Sequence, residues 1–129
     1  MNLRQRWTQF TRKLETATEQ SRELCCLGIK EKRFMVSFIV RMTFAPEDRS
    51  DIAETLRVLA TASRQEPGCV TYIPHLVEGD PDTVLIYEQY RDASALEAHG
   101  QSEHFKKHAV GGLYQKMRER NREDLVALV

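Results

Sequence analysis

Four side chains in the second half of the sequence are of types that transfer protons or bind oxygen atoms: Tyr72, Glu88, His99 and His104. Glu88 shares one face of a predicted strand with apolar residues. Burial there would raise its pKa and make it a base for a phenolic or activated carbon-bound proton. Imidazole titrates near neutral pH, so the two histidines could perform acid or base chemistry. The phenol of Tyr72 could hydrogen-bond a substrate oxygen while its ring stacks on the substrate.

Each of these residues also has a purely structural interpretation. Tyr72 could fill the core with its hydroxyl satisfied, and the two histidines could cap and pack a helix. Glu88 could form an ion pair with Arg41 or Arg91. The sequence leaves both interpretations open for each residue.

Other chemistries find no support in the sequence. No pair of histidines has a convincing ligand spacing together with a fixed carboxylate as third ligand, so no metal site is expected. No nucleophile elbow is present, and Cys69 is expected to pack as a small apolar residue. Gly111 and Gly112 lack the spacing and the preceding strand of a phosphate loop, so neither flavin nor nicotinamide is expected.

The bulk properties predict one globular domain and exclude several partners. The chain has 129 residues, with 19 basic and 19 acidic side chains. This balance removes the usual electrostatic argument for binding nucleic acid. Three cysteines form no even disulfide framework, and no apolar run suits a membrane span or a signal peptide. A reduced cytoplasmic protein is therefore expected.

Residues 1–34 are expected to form an N-terminal helix and a linker outside the domain. Apolar residues recur at alternating steps of four and three over residues 2–24, which predicts an amphipathic helix. Its apolar stripe could pack on the domain, on the same helix of another subunit or on a partner protein. A membrane surface is the alternative, because arginines lie on this helix, but Glu15, Glu19 and Glu23 weaken it.

The elements that position the candidate residues follow from periodicity over residues 35–129. Alternation predicts a strand over residues 36–44, and a 3.6-residue period then predicts a helix that ends at residues 66–68. Further strands are predicted at residues 69–77 and 83–90. A helix is predicted at residues 93–98 or a little beyond, where Gly100 breaks it, and a helical turn over residues 102–109 follows. Gly111 and Gly112 predict a loop or kink, and the last strand is predicted at residues 123–129. Pro74 implies an edge, a bulge or a local break.

The order strand, helix, strand, strand, helix, strand predicts an α+β fold of the ferredoxin-like split βαβ type. The third strand is apolar on both faces in its first half, which indicates that the sheet is covered on both sides. A second copy of the chain would provide that cover, so a homodimer is expected.

Three phrases in the domain have a distinctive order and spacing: Glu66-Pro-Gly-Cys-Val-Thr-Tyr72, Ile86-Tyr-Glu-Gln-Tyr90 and Ala95-Leu-Glu-Ala-His-Gly-Gln-Ser-Glu-His-Phe105. In these phrases the chain resembles the antibiotic biosynthesis monooxygenase domain, from residue 35 to about residue 126. The resemblance implies a dimeric α+β barrel with a pocket between each sheet and its helices. It also implies a monooxygenase that needs no metal, haem or flavin and uses dioxygen to oxidise a quinol or related electron-rich aromatic.

On this resemblance, Glu88 or a histidine would take the substrate proton, and Tyr72 and His99 would hold the substrate oxygens. Phe38, Met42 and Leu56 are candidate apolar walls of the pocket, and His104 is a further candidate for substrate binding.

Other functions remain open because one fold supports several. Haem-degrading relatives use an asparagine on the first strand and a tryptophan, whereas this chain has its single tryptophan at Trp7, outside the domain. Isomerisation of a small phosphorylated signal molecule would need an anion-binding arginine in the pocket. A dimeric ligand-binding or stress-response protein without catalysis is the non-enzymatic alternative.

Overall fold

The computed structural model describes residues 35–129, so the predictions for residues 1–34 lie outside the described residues. The elements are β1 (Val36–Thr43), a 3₁₀ turn (Pro46–Asp48), α1 (Arg49–Arg64), β2 (Cys69–Val77), β3 (Asp80–Tyr90), α2 (Ala93–Gln101), a π-helix (Phe105–Leu113), its short continuation α3 (Tyr114–Lys116) and β4 (Glu119–Leu125). This order confirms the predicted ferredoxin-like α+β fold.

The four strands form one antiparallel sheet in the order β2-β3-β1-β4. β1 and β3 are the central strands, which places Pro74 on an edge strand, where a missing ladder donor is tolerated. Glu88 on β3 lies opposite Phe38 on one side and Tyr72 on the other. The register therefore brings three of the predicted site residues into one row across the sheet.

One face of the sheet packs against the helices and forms the core. The side chains of β1 and β3 alternate, and those on this face are buried, from Phe38 to Phe44 and from Val84 to Tyr90. Ile52, Leu56 and Leu59 of α1 complete the core from the helical side. Burial of each large apolar side chain contributes about 1.5–3 kcal/mol, which is what holds the helices on the sheet.

The opposite face of the sheet carries apolar side chains that remain partly exposed. Ile39 lies opposite Tyr87 in the β1–β3 register, and both are half-buried. Ile73 on β2 is 41% exposed and Leu125 on β4 is 39% exposed. This face, which we call the open sheet face, is the one that the sequence predicts to be covered by a second copy.

Two predictions in the helical region are wrong. Gly100 does not break α2, which continues to Gln101, since a single glycine costs a helix only about 1 kcal/mol. Gly111 and Gly112 do not form a loop but lie inside the π-helix. A Cβ atom at Gly111 would lie 3.3 Å from the Lys106 carbonyl oxygen, five residues earlier, so glycine suits this wider turn.

The predicted closing strand is also misplaced. β4 spans Glu119–Leu125 rather than residues 123–129. The apolar residues near the C-terminus suggested the later range, but an edge strand needs no apolar alternation and often carries charges. None of the helices in the described part of the chain is both long and apolar enough to cross a bilayer.

Candidate active site

Glu88 is a carboxylate buried within the core, and only 7% of it is exposed. It is on β3 and faces the helices, where Tyr90 donates a hydrogen bond of 2.7 Å to Oε1. Burial raises the pKa of Glu88 to about 7, although the Tyr90 hydrogen bond and the charges of Arg122 and Arg120 act in the opposite direction. A carboxyl group that titrates near neutral pH can both accept and release a proton.

Glu88 does not form either ion pair that the structural interpretation suggested. Arg41 is exposed on the opposite face of the sheet, and Arg91 lies 3.7 Å from Asp92. The imidazole of His99 lies beside Glu88 instead, with 3.7 Å between Nε2 of His99 and Oε1 of Glu88.

His99 is buried on α2 between two carboxylates, with 2% of the residue exposed. Its Nδ1 lies 2.8 Å from Oε2 of Glu66, whereas its buried Nε2 has no hydrogen-bond partner among the described residues. Burial lowers the pKa of His99, and the carboxylate of Glu66 partly offsets that effect. Asp92 fixes the start of α2, because its side chain accepts a hydrogen bond of 2.7 Å from the Ala95 amide.

Tyr72 contributes the third predicted group and is only 3% exposed. Its ring centroid lies 5.8 Å from that of His99, and the Tyr90 ring lies 5.1 Å from His99 on another side. Burial, and then the nearby charge of Glu88, raise the pKa of Tyr72 well above its ordinary value. Tyr72 is therefore a neutral hydrogen-bonding group at neutral pH.

Aromatic side chains of the π-helix region enclose His99 from the remaining direction. The ring of Phe105 meets His99 edge-on with centroids 5.0 Å apart, and Tyr114 meets Phe105 at 6.1 Å. π-helical turns are rare and often occur at functional sites. Here Phe105 begins the π-helix and Tyr114 directly follows it, so the π-helix sets the positions of both rings.

His104 joins the cluster through Glu66. Its Nε2 lies in close contact with Oε2 of Glu66, the same oxygen that contacts His99. Glu66 precedes β2 by three residues, whereas His99 and His104 lie on and just after α2. The structure thus brings together Tyr72, Glu88, His99 and His104, which were predicted, with Glu66 and Tyr90, which were not.

The three predicted apolar walls lie at different distances from this cluster. The Phe38 ring stacks on Tyr90 with centroids 6.1 Å apart. Met42 lies four residues further along β1, about 13 Å away at the usual rise of a strand, and pairs with Val84. Leu56 is buried in the core on α1. Phe38 therefore lies against the polar cluster, whereas Met42 lies well away from it.

Two arginines near the cluster were not predicted, because the sequence placed β4 too close to the C-terminus. β4 pairs with β1, which places Arg122 opposite Val40 and Arg120 opposite Met42, on the helix-facing side. The Arg122 guanidinium lies 3.8 Å from the centre of the Phe38 ring, and Arg120 lies 5.5 Å from that of Tyr114. The alternating arginines of residues 118–122 were the available signal for this strand face.

A pocket beside Tyr72 was expected, but the side chains there pack closely in the single chain. Tyr72, Tyr90 and His99 are all nearly inaccessible. An open surface depression lies elsewhere, on the outer side of α1 between Glu54 and Gln65. A substrate would therefore reach Glu88 only if a covering side chain moved.

The structure contradicts one premise of the sequence argument against a metal site, and the expected absence of a metal stays a prediction. That argument rested on the lack of a fixed carboxylate beside the histidines, and Glu66 is such a carboxylate. Glu66, His99 and His104 each offer one possible ligand atom, and these three atoms lie within 4.8 Å of one another.

Comparison with known proteins agrees with this architecture. The profile of the family described as "Antibiotic biosynthesis monooxygenase" matches residues 35–110. The crystal structure of PA3566 from Pseudomonas aeruginosa is 30% identical and superposes with a TM-score of 0.69, covering 74% of this chain and 96% of that one. Rv0793 from Mycobacterium tuberculosis is 26% identical, with a TM-score of 0.66 and coverage of 74% and 96%.

A further solved structure, called an antibiotic biosynthesis monooxygenase, is 25% identical with a TM-score of 0.68 and covers 73% of this chain and 99% of that one. None of the curated proteins matches the chain significantly. The family match extends over more than half of the sequence and includes the three phrases that carry Glu66, Glu88 and His99. The chain therefore belongs to the antibiotic biosynthesis monooxygenase family.

Proposed function

We propose that the protein is a cofactor-independent monooxygenase that acts on a quinol or a related electron-rich aromatic. One observation carries the proposal: Glu88 is a buried carboxylate enclosed by aromatic rings, and its closest polar neighbours are Tyr90 and His99. Such a group can take a proton from a bound phenol without the help of a metal. The apolar surroundings also suit a flat aromatic substrate.

The first step is deprotonation of the substrate. Glu88 accepts the phenolic proton, and its pKa of about 7 gives it an adequate fraction of the basic form at neutral pH. Tyr72 donates a hydrogen bond to the substrate oxygen, and His99 helps to hold a second oxygen. Orientation of the substrate beside the base supplies much of the rate enhancement.

The second step is oxidation of the phenolate by dioxygen. The phenolate passes one electron to dioxygen, and the resulting radical and superoxide combine to form a carbon–oxygen bond at a ring carbon that bears hydrogen. Glu88 then returns its proton to the peroxide, which becomes a hydroperoxide. Loss of water from the hydroperoxide then leaves a carbonyl group. One oxygen atom of dioxygen enters the product and the other leaves as water, and the substrate itself supplies both the electrons and the hydrogen atoms.

Substrate entry requires part of the aromatic cover to move. Phe105 and Tyr114 are only partly buried, whereas Tyr90 is fully buried, so the π-helix side is the proposed entrance. Phe38 would then form a wall next to Glu88, and His104 would lie near the entrance. Met42 and Leu56 are proposed as more distant walls that contact only a longer substrate.

Oxygen consumption with a panel of quinols and anthrones tests the proposal. We expect turnover under air, none without dioxygen, and a product with one oxygen atom from labelled dioxygen. A Tyr72→Phe, Glu88→Gln double variant should lose activity by about 10²–10⁴-fold, the usual contribution of a positioned base. Glu97→Gln, an exposed glutamate on α2, is the matched control.

Two results would contradict the proposal. Unchanged oxygen consumption in the double variant would remove the assigned roles. Tight binding of an aromatic across the panel without any turnover would instead favour a ligand-binding protein.

We also propose that the working unit is a homodimer in the cytoplasm. The open sheet face carries Ile39, Ile73 and Tyr87, and a second copy would remove this apolar surface from water. Cys69 carries a free thiol, which suits a reducing compartment.

The arginines of β4 favour a second candidate function, which is the isomerisation of a small phosphorylated molecule. Arg122 lies on the side of the sheet that carries Glu88, and such a cation could bind a phosphate. Arg122 already pairs with Asp124 at 2.6 Å, which reduces its availability for a ligand. Phosphorus NMR with sugar phosphates distinguishes the candidates, because only the isomerase should show saturable phosphate binding that Arg122→Gln removes.

A further inference from the structure

We propose that Glu66, His99 and His104 form a binding site for one divalent transition-metal ion, with zinc as the best match in ligand type. We call these three residues the His–Glu–His cluster. The proposal concerns the binding of an ion to the substrate-free protein and does not rest on the monooxygenase reaction, although His99 and His104 are also proposed to lie near the substrate. Two imidazoles and one carboxylate are ligands that zinc prefers in proteins.

The distances are close to those that a bound ion requires. Bonds of about 2.0–2.2 Å to nitrogen and oxygen place neighbouring ligand atoms of a tetrahedral ion about 3.3 Å apart. In the structure Nδ1 of His99 lies 2.8 Å from Oε2 of Glu66, and all three ligand atoms are within 4.8 Å of one another. Both histidine contacts of Glu66 are shorter than this separation, so side-chain rotations that widen the two contacts would open the cluster around an ion.

The unpaired nitrogen of His99 provides an independent observation. Nε2 of His99 is buried and lacks a hydrogen-bond partner in the described part of the chain, and it faces Oε1 of Glu88 at 3.7 Å. When Nδ1 binds a metal, the imidazole proton is on Nε2. A histidine ligand commonly donates that second ring proton to a carboxylate, which orients the ring and makes it a stronger ligand. Glu88 is in the position of that second carboxylate.

Access and backbone placement also suit a metal site. The side chains of His104 and Glu66 are 23% and 16% exposed, whereas that of His99 is 3% exposed. An ion can therefore enter beside His104 and keep a fourth position for water. Because Glu66 lies between α1 and β2 while the histidines lie on and after α2, the bound ion would link two segments 33 or more residues apart.

Cobalt binding to the full-length protein, free of any histidine tag and previously stripped with a chelator, tests the proposal. We expect one Co²⁺ per chain, visible d–d absorption, and displacement of Co²⁺ by Zn²⁺. Glu66→Gln and His104→Gln should each weaken Co²⁺ binding by more than the roughly 10–100-fold that loss of an outer-shell partner costs. Zn²⁺ should raise the melting temperature of the wild type but not of these variants.

His75→Gln is the matched control, because His75 is an exposed histidine on β2 outside the cluster. It should bind Co²⁺ as the wild type does. Circular dichroism without metal establishes that each variant is folded, and His104→Gln is the more tolerant substitution because His104 is partly exposed. Absence of saturable Co²⁺ binding, equal affinity in the wild type and both cluster variants, or loss of binding in His75→Gln would each overturn the proposal.

Discussion

The Tyr90 hydroxyl donates a hydrogen bond to Oε1 of Glu88, two residues earlier on β3, with 2.7 Å between the two oxygens. Both side chains face the helices because residues two apart on a strand share a face. The hydrogen bond stabilises the ionised form of Glu88 and opposes the effect of burial on its pKa. Tyr90 thereby helps to keep a buried carboxyl group within reach of neutral pH.

Replacement of Tyr90 with phenylalanine should raise the pKa of Glu88 above about 7. The variant loses the donor that favours the charged form, and a lost hydrogen bond to a charged group is worth about 1.5 kcal/mol, or roughly one pH unit. Carbon-13 NMR of the glutamate carboxyl groups measures the shift without a substrate. Tyr87→Phe, on the opposite face of β3, is the control and should leave the titration unchanged. An unaltered Glu88 midpoint in Tyr90→Phe would contradict the assigned hydrogen bond.

Glu88 should also make stability depend on pH. Its folded-state pKa of about 7 lies above the ordinary value of 4.5, so between these values the folded state holds a proton that the unfolded state has released. The contribution of Glu88 to the free energy of unfolding is therefore greatest below about pH 4.5. It falls by about 3 kcal/mol as the pH rises to about 7.

Urea unfolding of the wild type and of Glu88→Gln, at about pH 5 and about pH 8 with a chelator present, measures this effect. Because the wild type loses stability as the pH rises, Glu88→Gln should be more stable relative to the wild type at about pH 8 than at about pH 5. Glu97→Gln should show no such change. A difference that is the same at both pH values would mean that Glu88 is not protonated in the folded state.

The sequence predicted the fold well because its central elements follow simple periodicity. The alternation over residues 36–44 predicted β1 and its core face, and the phrase at residues 66–68 predicted the end of α1 closely. β4 was missed because it is a charged edge strand, whose position follows from pairing with β1 and not from its own pattern.

The candidate site could be predicted only in part. Glu88 was recognisable because a carboxylate interrupts an apolar strand face. The role of Glu66 was not recognisable, because its contact with His99 spans 33 residues and depends on how α2 lies against the turn before β2. The π-helix was missed because glycines usually end helices, whereas here they allow a wider turn.

The open sheet face should mediate dimerisation. Ile39→Lys places a charge at its centre, opposite Tyr87, and burial of an unpaired charge is costly. We expect a dimer for the wild type and a folded monomer for Ile39→Lys in light scattering after gel filtration. Val58→Lys is the control, because it places the same charge on an exposed apolar residue of α1, and this variant should remain dimeric. A monomeric wild type at micromolar concentration would rule out the dimer.

Gly68 allows the turn before β2 to approach α2, and its replacement should be costly. A Cβ atom at this position would lie 2.3 Å from the Cβ of Ala95. Neither atom is at the end of a flexible side chain, so the backbone must shift, and such overpacking costs about 1–3 kcal/mol. Because α2 also carries His99, the shift would separate His99 from Glu66 as well. Gly68→Ala should therefore lower the melting temperature.

Gly100→Ala is the matched control on the same helix. A Cβ atom there would have no neighbour within 4 Å, and alanine favours a helix over glycine by about 0.5–1 kcal/mol. Thermal unfolding should thus show opposite signs for the two substitutions, with Gly68→Ala less stable and Gly100→Ala slightly more stable than the wild type. If Gly68→Ala were as stable as the wild type, α2 would have to lie further from the turn than the structure places it, and the contact between His99 and Glu66 would be lost with it.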